Sequence, residues 1–192
     1  MSDLAPGLLI ASPGMADPRF AKSVILLAES GEEGSLGFVI NKRSPYTFGE
    51  LAEELGIEPH AQHVDGPVHY GGPVSPERGW IVFNGDDEVP LGLEPGSIVP
   101  VGDSLRVSAT VEMLGSLLER GPGGPFKLCL GYAGWDAGQL EDELAEGSWL
   151  PLDLAPEIIF EVPEDEMWEE AIRRLGLVPG GFFMTGGGGA KA

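Results

Sequence analysis

Phe126 to Leu150, FKLCLGYAGWDAGQLEDELAEGSWL, is the stretch that most restricts what this chain can fold into. Phe126 to Tyr132 is a short apolar run bounded by glycines, the pattern of a strand covered on both faces. Gly131 and Gly134 then break the run and permit turns with positive φ. Asp136 stands three residues before Gln139, the spacing of a helix N-cap and its reciprocal partner. Leu140 and Leu144 lie one turn apart and face a core, while Glu141, Asp142, Glu143 and Glu146 surround them. Acids in a first turn suit the positive end of the helix dipole, and Gly147 is the expected stop. A strand, glycine turn and helix start can cradle an anion. Here the glycines do not follow the dinucleotide spacing, no Lys-Ser or Lys-Thr follows, and acids crowd the helix, so a nucleotide is not expected.

The rest of the chain supplies elements that pack against this stretch. Gly7–Ser12 is a strand candidate. Ser23–Ala28 and Leu36–Asn41, joined by SGEEGS, read as an antiparallel hairpin, whose ladder Pro45 ends. Thr47 and Glu50 form a capping box for a helix with Phe48, Leu51 and Leu55 on one face, closed by Gly56. Gly79–Asn84, Ser97–Val101 and Ser104–Val107 are strands. Ser108 is the expected cap of a helix whose stripe is Met113, Leu114, Leu117 and Leu118. Trp149–Leu154 and Glu157–Phe160 read as strands, and Glu164–Leu175 as a last helix with Trp168, Ala171, Ile172 and Leu175 on its core face. Irregular alternation of strand pairs and about four helices predicts an α+β fold with a mixed, largely antiparallel sheet. There is no internal repeat or long linker. One compact domain over residues 1–178 is expected, followed by a flexible glycine-rich tail over residues 179–192.

Charge and cysteine usage narrow the partners. The chain has 192 residues, 31 acids and 11 lysines and arginines, a formal charge of −20. Beyond Lys42-Arg43 and Arg173-Arg174 there is no basic cluster. Nucleic-acid binding requires cations that displace counterions, so direct binding to DNA is disfavoured. From Gly131 onward, 13 acids face 3 bases, an excess that repels polyanions. The single cysteine excludes an intramolecular disulfide and fits a reducing compartment. The opening MSDLAPGLLIASPGMADP has too short an apolar core for a secretion signal, and Asp3 stands where a positive region belongs. No run approaches the roughly 20 apolar residues of a membrane span. A cytoplasmic protein without membrane contact is expected.

Few residues carry chemistry. Cys129 lies inside the apolar FKLCL run and reads as a buried, inert thiol. His60-x-x-His63 with Asp65 has ligand spacing only on a helix, whereas Pro59 and Gly66-Pro67 mark a loop, so neither metal nor cofactor is expected. Asp17, Glu29 and Glu141 can supply a carboxylate pair, against the simpler readings of a turn residue at Asp17 and a solvated first-turn acid at Glu141. No G-x-S-x-G occurs to support a serine triad.

Four segments taken together, ASPGMADPRFAKSVILL, GFVINK, GGPV with Arg78-Gly79, and GYAGWDAGQLEDE with Trp149, resemble the YqgE/AlgH family of uncharacterised bacterial proteins. The match runs in order from Gly7 to Leu175, and GYAGW-x-x-GQLE-x-E is its specific signature. The resemblance implies a cytoplasmic α+β protein whose sheet splits and curls into a partial barrel flanked by helices. It also implies the transcriptional-regulator label sometimes given to the family, without an established enzymatic activity or catalytic residues. The chain departs from the family at Glu29-Ser30, where Glu-His is common, and at Asn41-Lys42-Arg43, where Asn-Lys-Pro is common. Asn41, Arg78, Tyr132, Trp135 and Gln139, with Glu141, sit in these motifs beside turns. They are the candidate binding surface, or else residues that lock the turns, with Trp135 in the core and Arg78 paired to an acid. The leading expectation is a non-enzymatic regulatory or adaptor protein contacting an unidentified protein near the GGPV and GYAGW turns. The alternative is a small-molecule binder or hydrolase-like enzyme with a pocket there, where Asn41, Arg78 and Gln139 converge. Oligomeric state is left open.

Overall fold

The computed structural model describes residues 4–58, 66–85, 98–109, 113–116 and 124–179. Among the described residues there are ten strands: β1 Gly7–Ala11, β2 Val24–Gly31, β3 Gly34–Val39, β4 Arg43–Thr47, β5 Pro67–Tyr70, β6 Val74–Asn84, β7 Ile98–Val101, β8 Leu105–Ser108, β9 Phe126–Trp135 and β10 Trp149–Asp153. The described helices are α1 Phe48–Leu55, α2 over residues 113–116, α3 Gln139–Ala145, α4 Pro156–Glu161 and α5 Glu164–Arg174. The main path through the sheet is β10-β1-β2-β3-β9-β6-β8-β7, with β4 and β5 branching from it. Its pairs are antiparallel except β5 with β9, which run parallel over Val68–Tyr70 and Leu128–Leu130. The fold is therefore mixed α+β, one compact unit with a curled sheet forming a half-barrel.

β9 is where the sheet divides. Its first half lies between β5 and β6, and its second half pairs with β3, Ser35 opposite Trp135. The strand continues through Gly131 to Trp135, three residues beyond the expected end. Gly131 bends the strand without ending it, at φ 71°. A Cβ there would meet Gly72 O at 2.5 Å and Val74 O at 2.8 Å, so backbone crowding and backbone angle both require glycine. The bend also exchanges faces. Before it, Phe126, Leu128 and Leu130 join one cluster and Cys129 the opposite one; after it, Tyr132 falls in with Cys129, and Ala133 and Trp135 turn to the other side.

These faces make three cores. One face gathers Leu8, Ile10, Val24, Leu26, Phe38, Val82 and Cys129 beneath α4 and α5, which contribute Ile158, Ile159, Trp168 and Ile172. On the other face, α3 covers Leu9, Ile25, Leu27 and Val39 with Leu140, and α1 and α2 cover Ile81, Phe83 and Leu128 with Phe48, Ala52 and Met113. The period-2 alternation of β1 and β2 places successive residues in different cores. Trp168 Nε1 donates to Ala11 O at 2.8 Å, pinning α5 to β1.

Several local expectations hold. The Ser23–Asn41 hairpin forms, Thr47 and Glu50 make the capping box, and Gly56 closes α1 in the left-handed region. α3 ends in a Schellman motif, Gly147 N donating to Leu144 O and Ser148 N to Glu143 O. Others are corrected. Glu157–Phe160 is helical, within α4, because Pro156 occupies the first turn where proline presets the backbone. Asp136 does not cap α3; Gly138 does, at φ 79° and without a side-chain bond. Half of the anticipated exchange survives, as Gln139 Oε1 accepts from Asp136 N at 3.0 Å. Leu55 is exposed, and Ala52 takes its expected place in the core. Pro45 lies inside β4, an edge strand whose register with β5 is broken there. Ser108 ends β8, paired with Ile81 and Ile98; the start of the helix it was expected to cap lies outside the described residues. Leu117, Leu118, His60, His63, Asp65 and the glycine-rich tail lie outside the described residues. No described helix is long and apolar enough to cross a membrane.

Candidate functional site

The GGPV and GYAGW segments are joined by backbone. Gly71 N donates to Leu130 O at 2.7 Å, Val39 N donates to Gly71 O at 2.8 Å, and Val74 pairs with Tyr132. This junction leaves Pro73, Val74 and Gly134 exposed as a ridge. On one side lies a cleft of about 470 Å³ whose walls include Asp17, Phe20, Pro73, Trp135, Gln139 and Glu146. On the other lies a cleft of about 460 Å³ whose walls include Glu29, Glu33, Val74, Tyr132, Trp135 and Asp136. Glu29, Glu33, Asp136 and Glu146 are exposed, so both rims are acidic.

Glu143 ties this junction together. Its Oε2 accepts from Trp135 Nε1 at 3.0 Å and Trp149 Nε1 at 2.7 Å, and its Oε1 accepts from Gln139 Nε2 at 2.8 Å. The two indoles meet edge to face with centroids 6.0 Å apart, a favoured aromatic geometry. The tryptophans, Gln139 and the final acid of GQLE-x-E thus form one hydrogen-bonded unit spanning β9, α3 and β10. Asp17 pairs with Arg19 at 2.7 Å on the cleft wall; Arg19's hydrogen bonds hold that carboxyl below the usual carboxylate range.

The six anticipated surface residues therefore separate. Trp135 is 7% exposed and fills the core beneath the junction. Tyr132 is half-buried against Trp80, and Gln139 belongs to the Glu143 unit. Glu141 is exposed on α3. Asn41 braces the turn before β2, accepting from Val24 N at 2.8 Å and donating to Lys22 O at 2.9 Å. Arg78 lies over the Trp80 ring, 4.6 Å from its centroid, and pairs with no acid among the described residues. Asn41, Arg78 and Gln139 are held by three different sets of partners and do not converge. Cys129 is fully buried, and desolvation pushes its thiol up to about 12. Glu143 is the residue that sequence reasoning passed over in favour of Glu141. Its i,i+4 spacing from Gln139 was the available signal.

A second constellation, with no local signal in the sequence, lies at the start of α5. His69 on β5 and Lys127 on β9 are 2% and 6% exposed, facing Glu164 at the start of α5. Glu164 Oε1 lies 3.0 Å from His69 Nε2 and accepts from Lys127 Nζ at 3.3 Å, while Oε2 accepts from Arg43 at 3.0 Å. His69 Nδ1 contacts Leu128 O at 3.2 Å. Burial opposes the charge on Glu164, but hydrogen bonds from His69 and Arg43 and the charge of Lys127 prevail and hold its carboxyl down to about 2. Burial foremost, then Lys127's charge, lowers the His69 pKa against the pull of Glu164. A neutral ring has one proton for two oxygen neighbours, so only one of these two contacts is a hydrogen bond in a given tautomer; Lys127 Nζ lies 3.5 Å from Nε2. Among the described residues, no group of three or more His, Cys, Asp and Glu side chains is placed to hold a metal ion.

A family model described as AlgH-like (DUF179) matches residues 8–180. A UPF0301 protein of Anaeromyxobacter sp. (strain Fw109-5) is 46% identical over 197 residues, covering 100% of this chain and 97% of the relative. The solution structure of the AlgH protein from Pseudomonas aeruginosa matches with a TM-score of 0.73 at 38% identity, covering 91% of this chain and 89% of that one. A crystal structure from Corynebacterium diphtheriae, protein DIP2367, shares the fold with a TM-score of 0.67 at 23% identity, covering 88% and 86% of the two chains.

Proposed function

The chain belongs to the AlgH-like family, and on that premise we propose that it is a non-enzymatic cytoplasmic adaptor that docks a basic segment of a protein partner on the Pro73–Val74–Gly134 ridge. The observation that carries this reading is the Glu143-tied junction flanked by two acid-rimmed clefts. An apolar ridge with polar rims is the anatomy of a recognition surface, and the Glu143 unit fixes its shape before binding, which lowers the ordering cost of association. Exposed Glu29, Glu33, Asp136 and Glu146 complement lysine and arginine and repel polyanions. Any influence on transcription then runs through the protein partner and not through DNA. Trp135, once a candidate contact, belongs to the scaffold, so its truncation tests stability and not recognition.

The experiment is affinity capture with the full chain and with the double variant Glu29→Lys/Asp136→Lys, quantified by mass spectrometry. A direct partner carrying a Lys/Arg-rich segment is expected to be retained by the wild type and by the remote control Glu157→Lys, and to drop at least tenfold with the double variant. A peptide of that segment should bind the purified chain with the same ranking. Equal retention by all three proteins refutes the reading.

A further inference from the structure

Beneath α5, at a distance in the fold from the docking ridge, Phe48, Phe126, Phe160, Pro67 and Pro125 line a cavity of about 310 Å³ closed at one wall by His69, Lys127 and Glu164. That volume is at the lower end of small-molecule sites, and the pairing of an apolar body with a few converging polar groups is their usual composition. We propose that this cavity binds a small aromatic carboxylate, its ring against the phenylalanines and its anionic end on Lys127. Phe48 and Phe126 already meet edge to face with centroids 5.3 Å apart, a geometry that an added aromatic ring can extend.

Lys127 selects the anion. Lys127 and Glu164 both line the cavity, His69 is held neutral, and Arg43, 67% exposed, reaches Glu164 from the solvent side. A chain of formal charge −20 thus keeps an ammonium, 6% exposed, at the cavity wall. Lys127 has three ammonium hydrogens, of which Glu164 Oε1 accepts one at 3.3 Å. A ligand carboxylate supplies a further acceptor for the remaining ammonium hydrogens, and charge-assisted bonds of this kind are the strong ones. A benzylic alcohol offers the same ring without the charge, and an amine brings a second cation beside Lys127.

The full-length protein, labelled with ¹⁵N, is titrated with sodium benzoate, benzyl alcohol and benzylamine. Benzoate is expected to give saturable shifts centred on His69, Phe126 and Lys127, with benzyl alcohol at least tenfold weaker and benzylamine weaker still. Lys127→Met should lower benzoate affinity at least tenfold. Glu164→Gln removes the competing carboxylate and should tighten it several-fold, a gain that a folding defect cannot produce. Equal affinity for benzoate and benzyl alcohol, shifts centred elsewhere, or no saturation by tens of millimolar benzoate each overturn the proposal. The docking ridge stands or falls separately, because none of its residues enters this titration.

Discussion

Glu143 accepts from two indoles and an amide beside the docking ridge, whereas Glu164 lies among an arginine, a lysine and a histidine. The first carboxylate is structural, and neutralising it should loosen the ridge. The second is an electrostatic clamp with a signature in pH. Its folded-state pKa, about 2, is below that of the unfolded chain, so the stability it contributes is complete above the ordinary glutamate value and lost as pH falls toward about 2. His69 is lowered too, so the unfolded chain takes up that proton first and the loss begins near the ordinary imidazole value. Thermal melts across pH 7 to pH 2 should show a falling Tm, with the segment below about pH 4.5 flattened in Glu164→Gln. With the side chain 22% exposed and partly screened, the clamp is worth about 2 kcal/mol at neutral pH. An unchanged slope in the variant contradicts the assignment. None of this could be read along the sequence, because 95 residues separate His69 from Glu164 and 121 separate Arg43 from it.

Among elements, β9 and α3 were the most legible in the sequence, since glycine punctuation and the Leu140–Leu144 spacing are local signals. Where local rules misled, another constraint had prevailed. EIIF is β-branched and apolar, but Pro156 starts a helical turn there. Asp136 and Gln139 have cap spacing, but Gly138 in the left-handed region sets the helix start. Gly131 was recognised as a turn former, yet only the paired strands show that it exchanges the faces of β9. Substitution separates these two glycines. Gly131→Ala places a Cβ against the Gly72 and Val74 carbonyl oxygens and should cost about 3 kcal/mol or more. Gly138→Ala meets nothing within 4 Å and should cost about 1 kcal/mol, from its backbone angle alone. Urea denaturation measures both; equal losses would show that the close approach of the GGPV and GYAGW segments is unimportant to the fold.

For the whole molecule, a charge of −20 was plain from composition, and the expectation against polyanionic partners rests on it. The purified chain should not shift duplex DNA even at low salt, where counterion release favours binding most; a salt-sensitive shift would require a basic surface that the described residues do not provide. The three-core architecture was only partly foreseeable. An α+β fold with a largely antiparallel sheet followed from the order of elements, but the branch at β9 depends on pairing between distant strands. That branch is what brings Pro73 and Gly134 together as a ridge between acidic clefts. Hydrogen–deuterium exchange of the chain with and without its captured partner tests the docking account most directly. The account predicts slowed exchange confined to residues 29–36, 73–74 and 132–136; protection that spares all three segments, or that falls on α4 and α5 instead, contradicts it.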